Sequence, residues 1–527
     1  MVIAERILLN VTLALFAWVF HKKVRHGMHM LQLESYHNDR YINWMKKNIK
    51  RVIKTQEVIM LLIPTILVFL SKFIPIYLTY GLELFFLIVI SIFTRKKKEK
   101  KAFVVTSRVK RMFIIEAIII AIIVAISNLT NSIVGILLAN IFILIAYFMV
   151  VIINLINLPI VNIINRKFTK AAVNKLESIP EMKIIGITGS YGKTTTKNIV
   201  NTILSQKYES LMTPGSFNTP LGVVRTINEY MKPTNNVFVC EMGAKYVGDI
   251  KEICDIVHPE IGILTAIGPQ HLDTFKNLEN IRKTKLELID SLPDDGVAFV
   301  NWEDKNIRES EIPCEHIIKY GLTDEADYYA TNIEIDEQGS SFDVMMPEKN
   351  PIRVKTKLLG RLNILNIVCG VAVADYLGLS ENEIKAGTKY IKPVEHRLQM
   401  RKNPNGSIII DDAYNSNIRG AKMALEVLKG FENKKRMVIT PGIVDLGTKA
   451  DEINEELGEY IADAADYVIL VGKEQAKPIY KGLSNKKYPD EKICIAENLQ
   501  EALDEMKKEI NENAVILLEN DLPDNYL

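Results

Sequence analysis

The chain has 527 residues, with 65 Lys+Arg against 63 Asp+Glu and a formal net charge of +2. That length accommodates about three domains, and so small a net charge gives no reason to expect a nucleic-acid partner. The five cysteines (Cys240, Cys254, Cys314, Cys369 and Cys494) show neither CxxC nor metal-type spacing, which excludes a disulfide framework and a zinc site and fits reduced core residues of a cytoplasmic part.

Residues 1–165 differ from the rest. Apolar runs cover Ile3–Phe20, Val58–Leu70, Phe73–Phe93, Phe113–Ser127 and Ile133–Ile156. A bilayer core takes about 20 mostly apolar residues per helix, so the third and fifth runs qualify easily and the others are short. No cleavable signal peptide is expected, because the first run lacks a small-residue cleavage site and further spans follow it. Two basic segments separate the runs. His21–Lys54 and Arg95–Arg111 carry nine Lys/Arg each, including Lys96, Lys97 and Lys98, whereas the connections near Ser71-Lys72 and Asn128–Ser132 carry one positive charge together. The positive-inside rule places both basic segments in the cytoplasm. The expectation is a multi-pass cell-membrane module of about five helices, with the N-terminus outside and everything after Asn165 inside. Pro64 and Pro75 do not oppose spanning, since membrane helices tolerate proline; the short second run also suits a re-entrant hairpin. The segment Tyr36–Trp44 reads as an interfacial helix, with a substrate contact as the alternative.

From about residue 180, short β-branched runs alternate with helical stretches, which predicts parallel sheets covered by helices. Residues 178–391 form a first α/β domain, with strands at Val237–Cys240, Ile261–Ile267 and Val297–Val300 and antiparallel hairpins over Thr331–Lys357. Pro393 lies in a linker. Residues 392–527 form a second, Rossmann-like domain with strands at Ser407–Ile410, Arg436–Thr440, Tyr467–Val471, Lys492–Ile495 and Ala514–Leu518.

The most informative motif is Gly186-Ile187-Thr188-Gly189-Ser190-Tyr191-Gly192-Lys193-Thr194-Thr195-Thr196. It follows an apolar run, Met182–Ile185, and opens a helical segment, Lys197–Leu204. Strand, glycine loop, Lys-Thr and helix is the P-loop arrangement that binds a nucleotide triphosphate. Gly189, Ser190, Gly192, Lys193, Thr194 and Thr195 form the cradle, Lys193 reaches the β/γ-phosphates from a solvent-facing position, and Thr194 holds Mg²⁺. One detail departs from the common pattern: Ile187 stands where its first glycine belongs. ATP and Mg²⁺ are the expected cofactors.

Ligands of open α/β sheets sit beyond the C-terminal strand ends. Glu241 follows the strand Val237–Cys240, and His271 follows Ile261–Ile267 through Gly268-Pro269-Gln270. Carboxylate and imidazole thus share a rim with the glycine loop and suit divalent-metal binding. Lys285, in the helix Leu278–Leu292, would by itself read as an ordinary surface lysine.

The ordered set of Gly189–Thr195, Glu241-Met242-Gly243-Ala244, His271-Leu272, Lys283-Thr284-Lys285-Leu286-Glu287 and Asn301-x-x-Asp304 resembles the Mur ligase family, over about residues 180–527. The branch it resembles is that of the UDP-N-acetylmuramoyl-tripeptide:D-alanyl-D-alanine ligases. The resemblance implies that Lys285 is carbamylated and, with His271, holds a second Mg²⁺, while Thr194 and Glu241 hold the first. Gly360–Asn366 matches a segment near the adenine and brings in Asn363 and Asn366, with Leu362 in place of the usual histidine. Glu395–Gln399 matches a segment whose arginine, here Arg397, contacts phosphate; His396 replaces its glycine. Asp411–Asn417, including Asp412, matches a strand-end motif facing the cleft. Asn301 and Asp304 carry nucleotide or domain-interface roles. Agreement weakens at Pro441–Gly447 and at Glu519–Tyr526, where an acidic tail stands in place of a Lys-Gly-Ser segment. The membrane module occupies the place of the family's uridine-nucleotide-binding domain.

The function so implied is an ATP-dependent ligase that phosphorylates a carboxylate and transfers the acyl group to an amine. The amine is an amino acid or dipeptide such as D-alanyl-D-alanine. The carboxylate belongs to a peptidoglycan or other envelope precursor, either soluble or lipid-linked. Two alternatives remain at this level: a ligase for another envelope polymer or poly-amino-acid, and an ATP-driven transporter or flippase. Against the latter, the spans hold few charges beyond Glu5, Arg6, Glu83 and Glu116.

Overall fold

A computed structural model describes residues 2–69, 76–93, 102–130, 132–336, 338–414, 417–444, 446 and 449–520. Pro75, the Ser71-Lys72 connection, the Lys96–Lys98 run, Asn415, Ser416, Asp445, Gly447 and the tail 521–527 lie outside them. The chain divides into two units, Met1–Arg166 and Lys167–Leu527.

The first unit is helical: α1 (Val2–Leu33), α2 (Asn38–Lys47), α3 (Ile49–Val52), α4 (Thr55–Phe69), α5 (Ile76–Phe93), α6 (Ser107–Leu129), α7 (Ser132–Leu144) and the start of α8 (Ala146–Glu177). Among the described residues, three stretches are long and apolar enough to cross a membrane: Glu5–Leu33, Ser107–Leu129 and Ala146–Glu177. Thr55–Leu67, Tyr77–Phe93 and Val134–Leu144 are shorter apolar helices. The run Ile133–Ile156 is interrupted at Ile145, between the end of α7 and the start of α8, although Ile145 N still donates to Ile141 O at 3.0 Å and Met149 N to Ile145 O at 2.9 Å. One expectation needs revision. The basic segment from His21 does not begin as a loop, since α1 continues through it. Straight-chain lysine and arginine favour helix, and the one buried charge there is compensated. Lys23 is 3% exposed and pairs with Glu57 at 2.8 Å. Pro64 is accommodated inside α4. The expected interfacial segment forms α2, which buries Tyr41 and Met45 and stacks Trp44 on Tyr41 with ring centroids 5.7 Å apart.

The second unit carries two sheets. The larger comprises β1 (Lys183–Thr188), β2 (Ser210–Met212), β3 (Val237–Glu241), β4 (Ile261–Leu264), β5 (Val297–Asn301), β6 (His316–Gly321), β7 (Tyr328–Asp336), β8 (Gly339–Met346) and β9 (Lys349–Thr356). Its order is β2-β3-β1-β4-β5-β6-β7-β8-β9, parallel as far as β7 and antiparallel through β8 and β9. β1 is buried from Ile184 on, with Ile185 and Ile187 fully covered on one face, as a two-sided parallel sheet requires. The strand order reverses beside β1, between β3 and β4, which opens a crevice at its C-terminal end. Helix α9 (Lys193–Leu204) starts there.

The smaller sheet comprises β10 (Gln399–Lys402), β11 (Ile408–Asp412), β12 (Lys435–Thr440), β13 (Tyr467–Val471), β14 (Ile493–Ala496) and β15 (Ala514–Glu519). They lie in the order β10-β11-β15-β12-β13-β14, with only β10 antiparallel. Among the described residues, polar contacts of Arg419 and Tyr414 join the two α/β parts, including one from Arg419 Nη2 to Glu303 O at 3.5 Å. The Arg419 guanidinium donates to Asp304 Oδ2 at 2.6 Å, and the hydroxyls of Ser216 and Tyr414 meet at 2.7 Å.

Candidate active site

The glycine loop is pinned from below by the segment after β4. Ser190 N donates to Ala266 O at 2.8 Å, Ser190 Oγ to Gly268 O at 2.8 Å, and the Thr265 hydroxyl lies 2.5 Å from Tyr191 O. Glycine is required at 189, where φ is +151° and a Cβ would stand 2.1 Å from Thr265 Oγ1 and 2.8 Å from the Ala266 nitrogen. Ile187, which departs from the common loop pattern, is simply a buried residue of β1.

Lys193 does not face solvent as expected. It is half-buried, and its ammonium donates to the loop's own carbonyls, Gly189 O at 2.5 Å and Ser190 O at 3.3 Å. Burial, with help from the Arg397 charge and against that of Glu241, pushes its pKa down to about 8. Thr194 and Thr195 follow on the first turn of α9. Thr194 Oγ1 donates to Glu241 Oε1 at 3.1 Å, which joins the end of β3 to the start of α9.

Glu241 is 1% exposed. Burial alone would raise its pKa, but the Lys197 and Lys193 charges and the Asn218 amide hold it below the usual carboxylate range. Lys197 Nζ lies 3.0 Å from Glu241 Oε2 and also donates to Gly215 O at 2.8 Å; Asn218 Nδ2 donates to Glu241 Oε1 at 2.9 Å. Sequence reasoning missed both partners. Lys197 sits one helical turn beyond Lys193, a spacing that puts them on one face and was the available signal; nothing local marks Asn218. Lys197→Met is expected to lower unfolding stability by about 3–5 kcal/mol, since it strands a buried carboxylate. Urea denaturation of the purified protein checks this, and a loss under about 1 kcal/mol would show that the pair is not what keeps Glu241 charged.

His271 adopts a left-handed conformation (φ +51°) and caps the short helix Leu272–Phe275. Among the described residues no three His, Cys, Asp or Glu converge as a metal cluster, so His271 and Glu241 belong to no such ready-made cage. Lys285 is not a surface residue: it is 2% exposed on the helix Leu278–Asp290. Burial, reinforced by the Lys193 charge, holds its pKa well below the usual lysine range.

Asn301 is buried and committed to the scaffold, donating to Thr265 O at 2.7 Å and accepting from Glu303 N at 3.0 Å. Asp304 takes the interface option through Arg419. Asn363 donates to Leu359 O at 2.8 Å. Asn366 accepts from Thr196 Oγ1 at 3.2 Å, while its buried Nδ2 has no partner.

From the smaller sheet's side, Arg397 lies over the Tyr414 ring at 4.5 Å, and burial lowers its pKa. His396, which stands where the motif has glycine, takes φ +57°, a conformation glycine adopts without strain. Its Nδ1 lies 2.9 Å from Asp411 Oδ2, a local anchor that offsets part of that strain. Asp412 accepts from Leu398 N at 2.9 Å, and burial raises its pKa to about 6.

Residues 187–374 match the Mur ligase middle domain and residues 396–519 the Mur ligase, glutamate ligase domain. The UDP-N-acetylmuramoyl-tripeptide--D-alanyl-D-alanine ligase of Haemophilus influenzae is 31% identical over 336 residues, 62% of this chain and 72% of that protein. The chain belongs to the Mur ligase family. The enzymes of the same name from Bacillus subtilis and Escherichia coli are each 29% identical, and the Mur ligase chain described here spans 63% and 65% of their lengths. Among solved structures, MurF from Acinetobacter baumannii is 27% identical with a TM-score of 0.60, covering 67% of this chain and 76% of that one. MurF from Thermotoga maritima, in complex with ADP, is 26% identical with a TM-score of 0.60, covering 68% and 80%. These matches explain why two α/β sheets with a glycine loop at the first strand occur in this order. They share the Mur ligase fold with it.

Proposed function

We propose that this Mur ligase is an ATP-dependent carboxylate–amine ligase that acts through an acyl phosphate at a membrane. The observation that carries the reading is the constellation of half-buried Lys193 and Thr194 with buried Glu241 at the joined ends of β1 and β3. The relatives' names supply the substrate class: D-alanyl-D-alanine or a related amino compound, added to a peptide-bearing envelope precursor.

In this reading the P-loop backbone and Lys193 hold the triphosphate, with the ammonium turning from the Gly189 and Ser190 carbonyls to phosphate oxygens. Its lowered pKa keeps it responsive to anionic charge, since a triphosphate beside it favours the protonated form. Arg397 adds a second cation from the smaller sheet's side. The donor set fits Mg²⁺, because the Thr194 hydroxyl and a charged, buried Glu241 carboxylate are hard oxygens, and Mg²⁺ takes one or two carboxylates plus phosphates and waters. Mg²⁺ so held would neutralise phosphoryl charge during transfer. His271 and a carbamylated Lys285 would hold a second ion; burial shifts the amine toward its uncharged form, the form that takes up carbon dioxide. The contacts of Arg419 and Tyr414 across the two α/β parts close them over the cleft, excluding the water that would hydrolyse an acyl phosphate.

The deciding experiment is to follow phosphate release and product mass with full-length protein, ATP and peptide-bearing nucleotide precursors or lipid-linked ones, with and without D-alanyl-D-alanine or other amines. Release that depends strictly on both carboxylate and amine is expected. ATP hydrolysis with lipid alone would overturn the ligase reading in favour of a transport motor. A fragment starting near Arg166 should keep ATP binding and lose membrane association; if it matches the intact protein on every precursor, the membrane substrate is wrong.

A further inference from the structure

The first helical unit contains a group of fixed cations that the ligase reading does not use. Helix α6 begins at Ser107, with Thr106 as its N-cap accepting from Val109 N at 3.3 Å. Its first turns carry Arg108 and Arg111 and no acidic residue. Cations there oppose the helix dipole, whose positive end already favours an anion. Neither guanidinium is matched by a carboxylate among the described residues. Neutral asparagines hold both instead: Arg108 Nη2 donates to Asn154 Oδ1 at 2.9 Å, and Arg111 Nε to Asn157 Oδ1 at 3.2 Å. The two rungs are three residues apart on each helix, so both arginines lie on one face of α6 about one turn apart. Arg108 also lies over the Tyr36 ring at 4.2 Å, and Asn154 is fixed by donating to Asn38 Oδ1 at 2.8 Å.

Two donors in this group are buried without an acceptor, Arg108 Nε and Asn157 Nδ2, and Asn157 is fully buried. An unpaired buried donor costs stability unless something accepts from it. A helix N-terminus, two oriented guanidinium forks and two spare donors together describe a site for a tetrahedral oxyanion with several oxygens.

We propose that Arg108, Arg111 and Asn157 form a binding site for a phosphate or diphosphate group, carried by a membrane lipid. The lipid follows from the place of α6, one of the helices able to cross a bilayer, whose basic start the positive-inside rule assigns to the cytoplasmic headgroup level. The site deepens the membrane reading above and rests on that part of it, but not on the ligase chemistry.

The test uses full-length protein in phosphatidylcholine nanodiscs containing either a polyprenyl diphosphate or phosphatidylglycerol, with inorganic pyrophosphate as a soluble competitor and bound lipid counted by native mass spectrometry. Wild type is expected to retain polyprenyl diphosphate over phosphatidylglycerol by about tenfold or more, the size of one or two charge-assisted hydrogen bonds. R108Q/R111Q should abolish that preference, and R111K should weaken it by losing the fork. K110Q, which removes an exposed neighbouring charge, should leave it unchanged. Competition by pyrophosphate would assign recognition to the diphosphate alone; its absence would assign it to diphosphate and chain together. Equal retention of both lipids by wild type, a measurement that needs no variant, or equal losses in K110Q and R108Q/R111Q, would overturn the proposal and leave only general attraction to anionic lipid. Amine-dependent phosphate release on a soluble precursor, measured on the same preparations, reports the ligase separately.

Discussion

Lys193→Ala is expected to reduce ATP turnover by at least about 100-fold, the usual worth of a charged group aimed at a transferring phosphoryl. The fold should persist. The hydrogen bonds of Lys193 go to carbonyls three and four residues before it, so its removal frees acceptors at a loop edge, and the Lys197 ion pair still compensates Glu241 when the Lys193 charge is gone. Thermal unfolding and phosphate release on the same sample separate the two effects. A variant with normal unfolding that keeps more than about a tenth of wild-type turnover would remove Lys193 from the phosphates and with it the main support for the ligase mechanism.

Lys285→Ala should be as damaging, with one difference: part of its activity should return with added formate or acetate, which replaces the carbamate oxygens. Lys285→Arg should stay inactive, because a guanidinium is permanently charged and does not carbamylate. Wild-type activity in Lys285→Arg would end the carbamate reading. The stability sign runs the other way. Between the depressed value in the folded protein and the ordinary lysine value of about 10.4, the unfolded chain holds a proton that the native state lacks. Stability therefore rises with pH across that window. Lys285→Met should flatten that slope and unfold at higher temperature near neutral pH while losing activity, which a purely structural lysine would not do.

The central parallel strands were legible because they are short β-branched runs buried on both faces. Val237–Cys240, Tyr467–Val471 and Ala514–Leu518 all lie within observed strands. Three strands were not legible. Ser210–Met212 has three residues, while His316–Gly321 and Gln399–Lys402 carry charge and lie partly exposed, so hydrophobic period has nothing to register. At the site, Gly-Lys-Thr and the strand-end Glu241 were visible because loop chemistry is written locally. Lys285 was visible only by resemblance, since its burial depends on how its helix packs on the sheet. The ion pair of Lys197 with Glu241 was missed for the same reason: the partners are 44 positions apart in sequence and meet only where α9 packs beside the end of β3. In the first unit, hydropathy located the apolar runs but not the break at Ile145, which no proline or glycine announces.

The contact of Arg419 with Asp304 has a kinetic consequence. Arg419 is 39% exposed while Asp304 is 1% exposed, so one half of the fastening between the two α/β parts sits within reach of solvent ions. A partly exposed pair of this kind contributes on the order of 1 kcal/mol, and added salt weakens it. The hydroxyl pair of Ser216 and Tyr414 adds a similar amount. Leu359 also packs into the core of the smaller sheet's part, a contact indifferent to salt, so the polar fastenings are the salt-sensitive share of the joint. In the ligase cycle proposed above, admission of the precursor and escape of ADP would then depend on ionic strength, and the pair that shuts water out would help set the pace at which the cleft reopens.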